Sequence, residues 1–139
     1  MYNIYLEFSA VEQGRAKFMC EFIVKENNTI IRAHKIICSQ SYFNYNRVEF
    51  VWQILFNLIS FCVKHQYIGK IELVHNVNDL DNLLKTKSQF ISARKKSFLK
   101  KYVFLITQGY GFKFIYDIDR ACEENRAIKI KNISYEQSF

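Results

Sequence analysis

The chain has 139 residues, half of them apolar and 17% aromatic, with a net charge of +7. That length suits one domain, residues 1–139, and that apolar share is ample for a core. No apolar run reaches the roughly 18 residues of a membrane span, and MYNIYLEFSA lacks the basic start and apolar stretch of a signal peptide, so a cytoplasmic protein with no membrane partner is expected. Cys20, Cys38, Cys62 and Cys122 share no metal-knuckle spacing and sit mostly in apolar segments, which reads as free buried thiols. His34, His65 and His75 form no HxH or HExxH pattern, which argues against zinc.

Asn3 to Ala10 alternates Ile4, Leu6 and Phe8 with Tyr5, Glu7 and Ser9, the period of a strand. Gly14 marks a turn, and Ala16 to Val24 reads as a second strand, with Phe18, Cys20 and Phe22 alternating against Lys17, Met19 and Glu21. KENN, Lys25 to Asn28, has the composition of a hairpin turn. Ile30 to Ser39 then makes the third strand of an antiparallel meander. Asn44 or Asn46 can cap a helix from Val48 to His65, with Val51, Leu55, Leu58, Ile59 and Cys62 on one face. Glu49, Gln53, Asn57, Ser60 and Lys64 form its polar stripe. An acid in a first turn is favoured by the helix dipole, so Glu49 taken alone reads as a helix edge.

Gly69 ends the connection, and Lys70 to His75 reads as a fourth strand. A strand after a long helix is a crossover, which permits parallel pairing. Asn78 or Asp79 can cap a short helix, Leu80 to Lys85. A second helical stretch runs from about Phe90 to Thr107, with Phe98, Tyr102, Leu105 and Ile106 on one face and Gly109 or Gly111 at its end. A competing reading makes Tyr102–Thr107 a strand in a hairpin through QGYG; the helix is preferred. Phe112 to Ile118 reads as the last strand and Cys122 to Lys131 as a closing helix.

The charge is concentrated. Residues 1–84 hold eight basic and eight acidic side chains, and residues 102–139 hold five of each. The whole excess lies in 85–101: Lys85, Lys87, Arg94, Lys95, Lys96, Lys100 and Lys101, with no acid. Cations so crowded repel one another unless an anion is near, and phosphate is the usual partner. A solvated helix face is the plainer alternative. Phe90, Phe98 and Tyr102 are interleaved with these cations; they could stack on bases, but their helical spacing reads as core. The absence of proline and the wealth of Asn, Ile, Lys, Phe and Tyr are associated with AT-rich genomes, such as a low-GC bacterium, its phage or its plasmid.

The order of three strands, helix, strand, helices, strand, helix resembles the ribonuclease H-like fold, an α+β (mixed α/β) layout around a five-stranded mixed sheet. YNRVEF, Tyr45 to Phe50, is similar to that family's NNRxEL segment, whose Glu ligates a divalent metal; Glu49 takes that place. IYLEFSA, Ile4 to Ala10, resembles the first strand with its TDGS segment, which sets Glu7 where the first metal-binding Asp belongs. IELVHNVNDL, Ile71 to Leu80, resembles the fourth strand with its YTDSxxV segment, and Asn76 falls on the third acid. ENRAIKI, Glu124 to Ile130, resembles NERADEL, with Ile128 at the last acid. The basic segment 85–101 lies where some members carry a substrate-gripping protrusion.

What the resemblance implies is therefore divided. Two-metal phosphodiester chemistry uses a carboxylate cluster that holds two cations about 4 Å apart. Asn76 offers no charge and Ile128 no donor, so Glu7 and Glu49 remain as weak metal ligands. The favoured expectation is a non-catalytic domain, without cofactor, that binds RNA, an RNA–DNA hybrid or a nucleoprotein complex through the basic segment. One alternative is a Mg²⁺- or Mn²⁺-dependent nuclease using Glu7, Glu49 and Asp117 or Asp119. Another is a phage or mobile-element interaction module, such as an inhibitor of a CRISPR-type host defence complex.

Overall fold

The structure, a computed structural model, describes residues 1–10, 16–39, 47–78, 80, 92–130 and 136–137. Strands β1 (Tyr2–Ala10), β2 (Ala16–Glu26) and β3 (Thr29–Ser39) form the expected antiparallel meander. Asn27 and Asn28 take φ of 49° and 69°, the left-handed pair of a two-residue hairpin turn whose twist matches its strands. Helix α1 (Arg47–Lys64) crosses to β4 (Gly69–His75), and α2 (Ala93–Thr107) crosses to β5 (Tyr110–Tyr116). Helix α3 (Ile118–Ile130) follows, and a two-residue strand β6 (Glu136–Gln137) closes the order.

The sheet runs β5-β4-β1-β2-β3-β6. β4 pairs parallel with β1 and β5 parallel with β4, so the five long strands form the expected mixed sheet. β6 adds parallel pairing at His34 and Lys35 on the β3 edge. Two residues carry no periodicity, so sequence pattern had no means of finding it.

The strand alternation is realised as two faces. Ile4, Leu6 and Phe8, with Phe18, Cys20, Phe22 and Val24 from β2, are buried beneath α1. Helix α1 buries more than one stripe because it packs both on the sheet and against α2 beside it: Phe50 packs against Phe8 and Phe18, while Trp52 meets Phe98 of α2 at 5.6 Å between ring centroids. On the opposite face Tyr5, Val74 and Ala121 form a smaller cluster under α3. There the buried Asn125 donates to the carbonyls of Tyr5 (3.3 Å) and Ala121 (2.8 Å), fixing α3 to β1.

Segment 102–107 is helical, as preferred. Helix α2 starts at Ala93 rather than near Phe90 because Ser92 caps it, its Oγ accepting from Lys95 N at 3.2 Å. Gly109 ends it at φ 93°. β5 stops two residues earlier than expected, and α3 starts at Ile118 rather than Cys122, because the Asp117 carboxylate caps α3 by accepting from Arg120 N at 3.1 Å. The expected caps Asn44 and Asn46, and the short helix beyond Leu80, lie outside the described residues.

Cys20, Cys62 and Cys122 are free thiols. Burial pushes Cys62 up to about 12 from its ordinary 9.0. The folded value exceeds the unfolded one, so the stability that the neutral thiol contributes is complete below about pH 9 and is lost as pH rises toward 12. Denaturant midpoints measured from pH 9 to 11 should fall more steeply for the parent than for Cys62→Ala; equal slopes would contradict this.

Candidate functional site

Three of the positions that the resemblance assigns to a metal centre, Asn76, Glu7 and Glu49, make three different kinds of contact. Asn76 follows β4 and faces β1 beyond the end of their ladder. Its Oδ1 accepts from Phe8 N at 2.8 Å and its Nδ2 donates to Phe8 O at 3.0 Å. The side-chain amide thus imitates one more residue of parallel sheet and clasps the two strands. An aspartate cannot do this when ionised, because it has no donor.

Glu7 stands in the β1 row that faces α3, directly opposite Glu21 of β2. Across the interface the Cys122 thiol is in hydrogen-bond contact with the Glu7 carboxylate. Its pKa is raised first by burial, then by the Glu7 charge and that contact. Glu49 belongs to another neighbourhood. Its Oε2 accepts from Arg94 Nη1 of α2 at 3.3 Å. Ile128 lies on α3.

Asn76, Glu7 and Glu49 each have a protein contact of their own. The Asn76 oxygen already accepts from backbone, and the Glu49 carboxylate already neutralises a guanidinium. Among the described residues no three His, Cys, Asp or Glu side chains converge as metal ligands. Asp117, the other acid considered, caps α3, and Asp119 sits exposed in the first turn of that helix, where its charge favours the dipole.

Helix α2 carries the charge. The sequence treats its cations as one gripping set; the structure divides them. Arg94 donates through Nε to Gln53 Oε1 (3.3 Å) as well as to Glu49. Lys101 donates to Ser60 Oγ at 2.7 Å and stands 5.0 Å from the Phe56 ring centroid. Lys95 is only 7% exposed, its ammonium 5.3 Å from the Trp52 ring centroid. Lys96 and Lys100 are exposed. Lys85 and Lys87 lie outside the described residues. The polar stripe of α1 is thus half of a helix–helix contact rather than a solvent face. The signal was in the sequence: the stripe Glu49–Gln53–Ser60 complements Arg94 and Lys101, two turns apart on α2. An open cleft of about 480 Å³ between the two helices is lined by Glu49, Gln53, Phe56, Ala93, Arg94 and Ser97.

The strand order, the two parallel crossovers and a third helix on the far face define the ribonuclease H-like fold, and known structures bear this out. The chain superposes on the N-terminal RNase H domain of a Mycobacterium tuberculosis protein, solved as a fusion with maltose-binding protein, with a TM-score of 0.58 at 8% identity over 84% of this chain and 86% of that one. It also matches LC11-RNase H1, isolated from compost by a metagenomic approach, with a TM-score of 0.53 at 17% identity over 96% and 98% of the two chains. The same protein in complex with an RNA/DNA hybrid gives a TM-score of 0.54 at 16% identity over 96% and 100%. No protein-family model and no curated protein matches the sequence. Among the described residues, no helix is long and apolar enough to cross a membrane.

Proposed function

We propose that this chain is a non-catalytic ribonuclease H-like domain that binds nucleic acid, RNA or an RNA–DNA hybrid, through the basic segment that includes α2. The observation that carries the reading is α2 itself: five basic side chains and no acid, with Lys96 and Lys100 exposed. A phosphate backbone is the anion that best matches such a helix, and its grip would be sequence-independent. Two further points support it. One neighbour of this fold was solved on an RNA/DNA hybrid. The metal-ligand positions hold an amide tied to backbone and a carboxylate tied to Arg94.

The test is a titration of labelled RNA–DNA hybrid at several salt concentrations, with and without Mn²⁺, with the product run on a gel. Intact substrate and salt-sensitive binding are expected. Replacing Lys96 and Lys100 by Gln should lower the slope of log affinity against log salt by about 1–2. Lys95→Gln should leave it unchanged. A parental slope in the Lys96/Lys100 double variant would refute the interface, and Mn²⁺-dependent cleavage would restore the nuclease reading.

A further inference from the structure

Beside the exposed lysines of α2 lies the cleft that separates this helix from α1. Among the described residues, Glu49, Gln53 and Phe56 face Ala93, Arg94 and Ser97 across about 480 Å³, within the roughly 300–1,000 Å³ of small-ligand pockets. Its two charged groups, Glu49 and Arg94, pair with each other at 3.3 Å. Gln53 gives one N–H to Asn57 Oδ1 at 3.0 Å and accepts from Arg94 Nε at 3.3 Å. An amide has two N–H bonds and two lone pairs, so one of each is left over. Ser97 is exposed, and its hydroxyl both donates and accepts. Phe56 is half-buried and supplies the apolar part of the lining.

The lining decides what fits. An apolar group would strip water from Glu49, Gln53 and Arg94 and offer them no hydrogen bond in return. An anion would meet the Glu49 carboxylate, and a cation the Arg94 guanidinium. A neutral planar heterocycle with donors and acceptors on its edge suits a cancelled pair of charges, an amide, a hydroxyl and an aromatic ring. The bases of nucleic acids have that chemistry. Within a duplex their edges are paired and their faces stacked, so only an unpaired base could enter. A strand held on α2 would pass beside the cleft. Lys96 follows Ala93, and Lys100 follows Ser97, by three residues, the spacing of neighbours on a helix surface.

We infer that the cleft between α1 and α2 receives one unpaired base of a bound strand, its edge on Gln53 and Ser97 and its ring against Phe56, while phosphates lie along Lys96 and Lys100. The inference rests on the nucleic-acid reading and narrows it to substrates that carry a single-stranded nucleotide.

The probes are three fluorescein-labelled RNA–DNA hybrids with the same duplex. One is blunt, one carries short unpaired extensions of mixed sequence at both RNA ends, and one carries the same extensions without their bases. Binding is read by fluorescence anisotropy. The extensions with bases should bind about tenfold tighter than those without, the order of one stacked base. The double variant Ala93→Leu/Ser97→Leu fills the cleft from its exposed α2 wall. It should abolish that gain and leave the blunt-hybrid affinity, its salt slope and the melting curve unchanged. Equal affinity for the two extended hybrids would overturn the inference, as would a parental gain in the double variant. A free ribonucleoside that binds the parent as tightly as the extended hybrid would assign the cleft to a soluble ligand and overturn it too. In each of these cases salt-sensitive binding of the blunt hybrid would leave the nucleic-acid reading standing. No binding of any hybrid would remove both.

Discussion

Asn76→Asp should lower folding stability by about 3 kcal/mol at neutral pH, although it restores the acid that the ribonuclease H resemblance calls for at this position. The parent amide both accepts from Phe8 N and donates to Phe8 O. An ionised carboxylate keeps the first contact, loses the second and sets two oxygens against each other, and an unmade bond of this kind costs about 1–3 kcal/mol before repulsion is added. The sign with pH follows. Protonated Asp can donate to Phe8 O, so the folded state favours the neutral acid and its pKa rises above the unfolded value of about 4. The folded variant then binds more protons, and its stability falls as pH rises from the unfolded pKa through the folded one. Asn76→Ala should cost less and show no such pH dependence. Denaturant midpoints at pH 4, 5.5 and 7 decide the matter; an Asp variant as stable as the parent at pH 7 would mean that the clasp contributes nothing. On the non-catalytic reading, the Asp variant also gains no Mn²⁺-dependent cleavage.

Phe98→Ala should cost about 3–5 kcal/mol, the usual range for removing a buried aromatic ring. Phe98 is fully buried, and its ring meets Trp52 (5.6 Å), Tyr102 (5.7 Å) and Phe114 (6.5 Å). It joins α2 to both α1 and β5. This prediction also resolves the choice posed by aromatics among cations. A core residue lowers the melting temperature and leaves the hybrid affinity of the folded fraction intact. A base-stacking residue would do the reverse, with normal melting and weakened binding. Burial raises the Tyr102 hydroxyl pKa as well, in keeping with a ring turned inward.

Much of the fold was legible because its elements obey simple periods. β1 alternates so regularly that Ile4, Leu6 and Phe8 could be placed in the core before any coordinates, and Asn27-Asn28 announced its hairpin. The boundaries were less legible where a single polar side chain sets them. Ser92 and Asp117 each begin a helix by one hydrogen bond, and nothing in the surrounding hydrophobic pattern marks them. The candidate site was legible in part. Composition located the cations of α2, but could not say which turn inward, since that depends on the α1 stripe packed across from them. Asn76 could be recognised as a departure from an acidic pattern. That its amide serves the sheet instead depends on Phe8, 68 residues away in the chain.

The contacts of Arg94 and Lys101 also remove a degree of freedom. The first ties α2 to Glu49 and Gln53 and the second to Ser60, so the helix is pinned at two points along its length. A turn of one residue about its own axis, about 100°, would break both ties together. Lys96 and Lys100 owe their outward bearing to the cations that face the other way. On the nucleic-acid reading, a phosphate backbone would meet two charges one helical turn apart on a support held against rolling. On that reading, loosening Arg94 or Lys101 would alter binding by freeing the helix that carries Lys96 and Lys100.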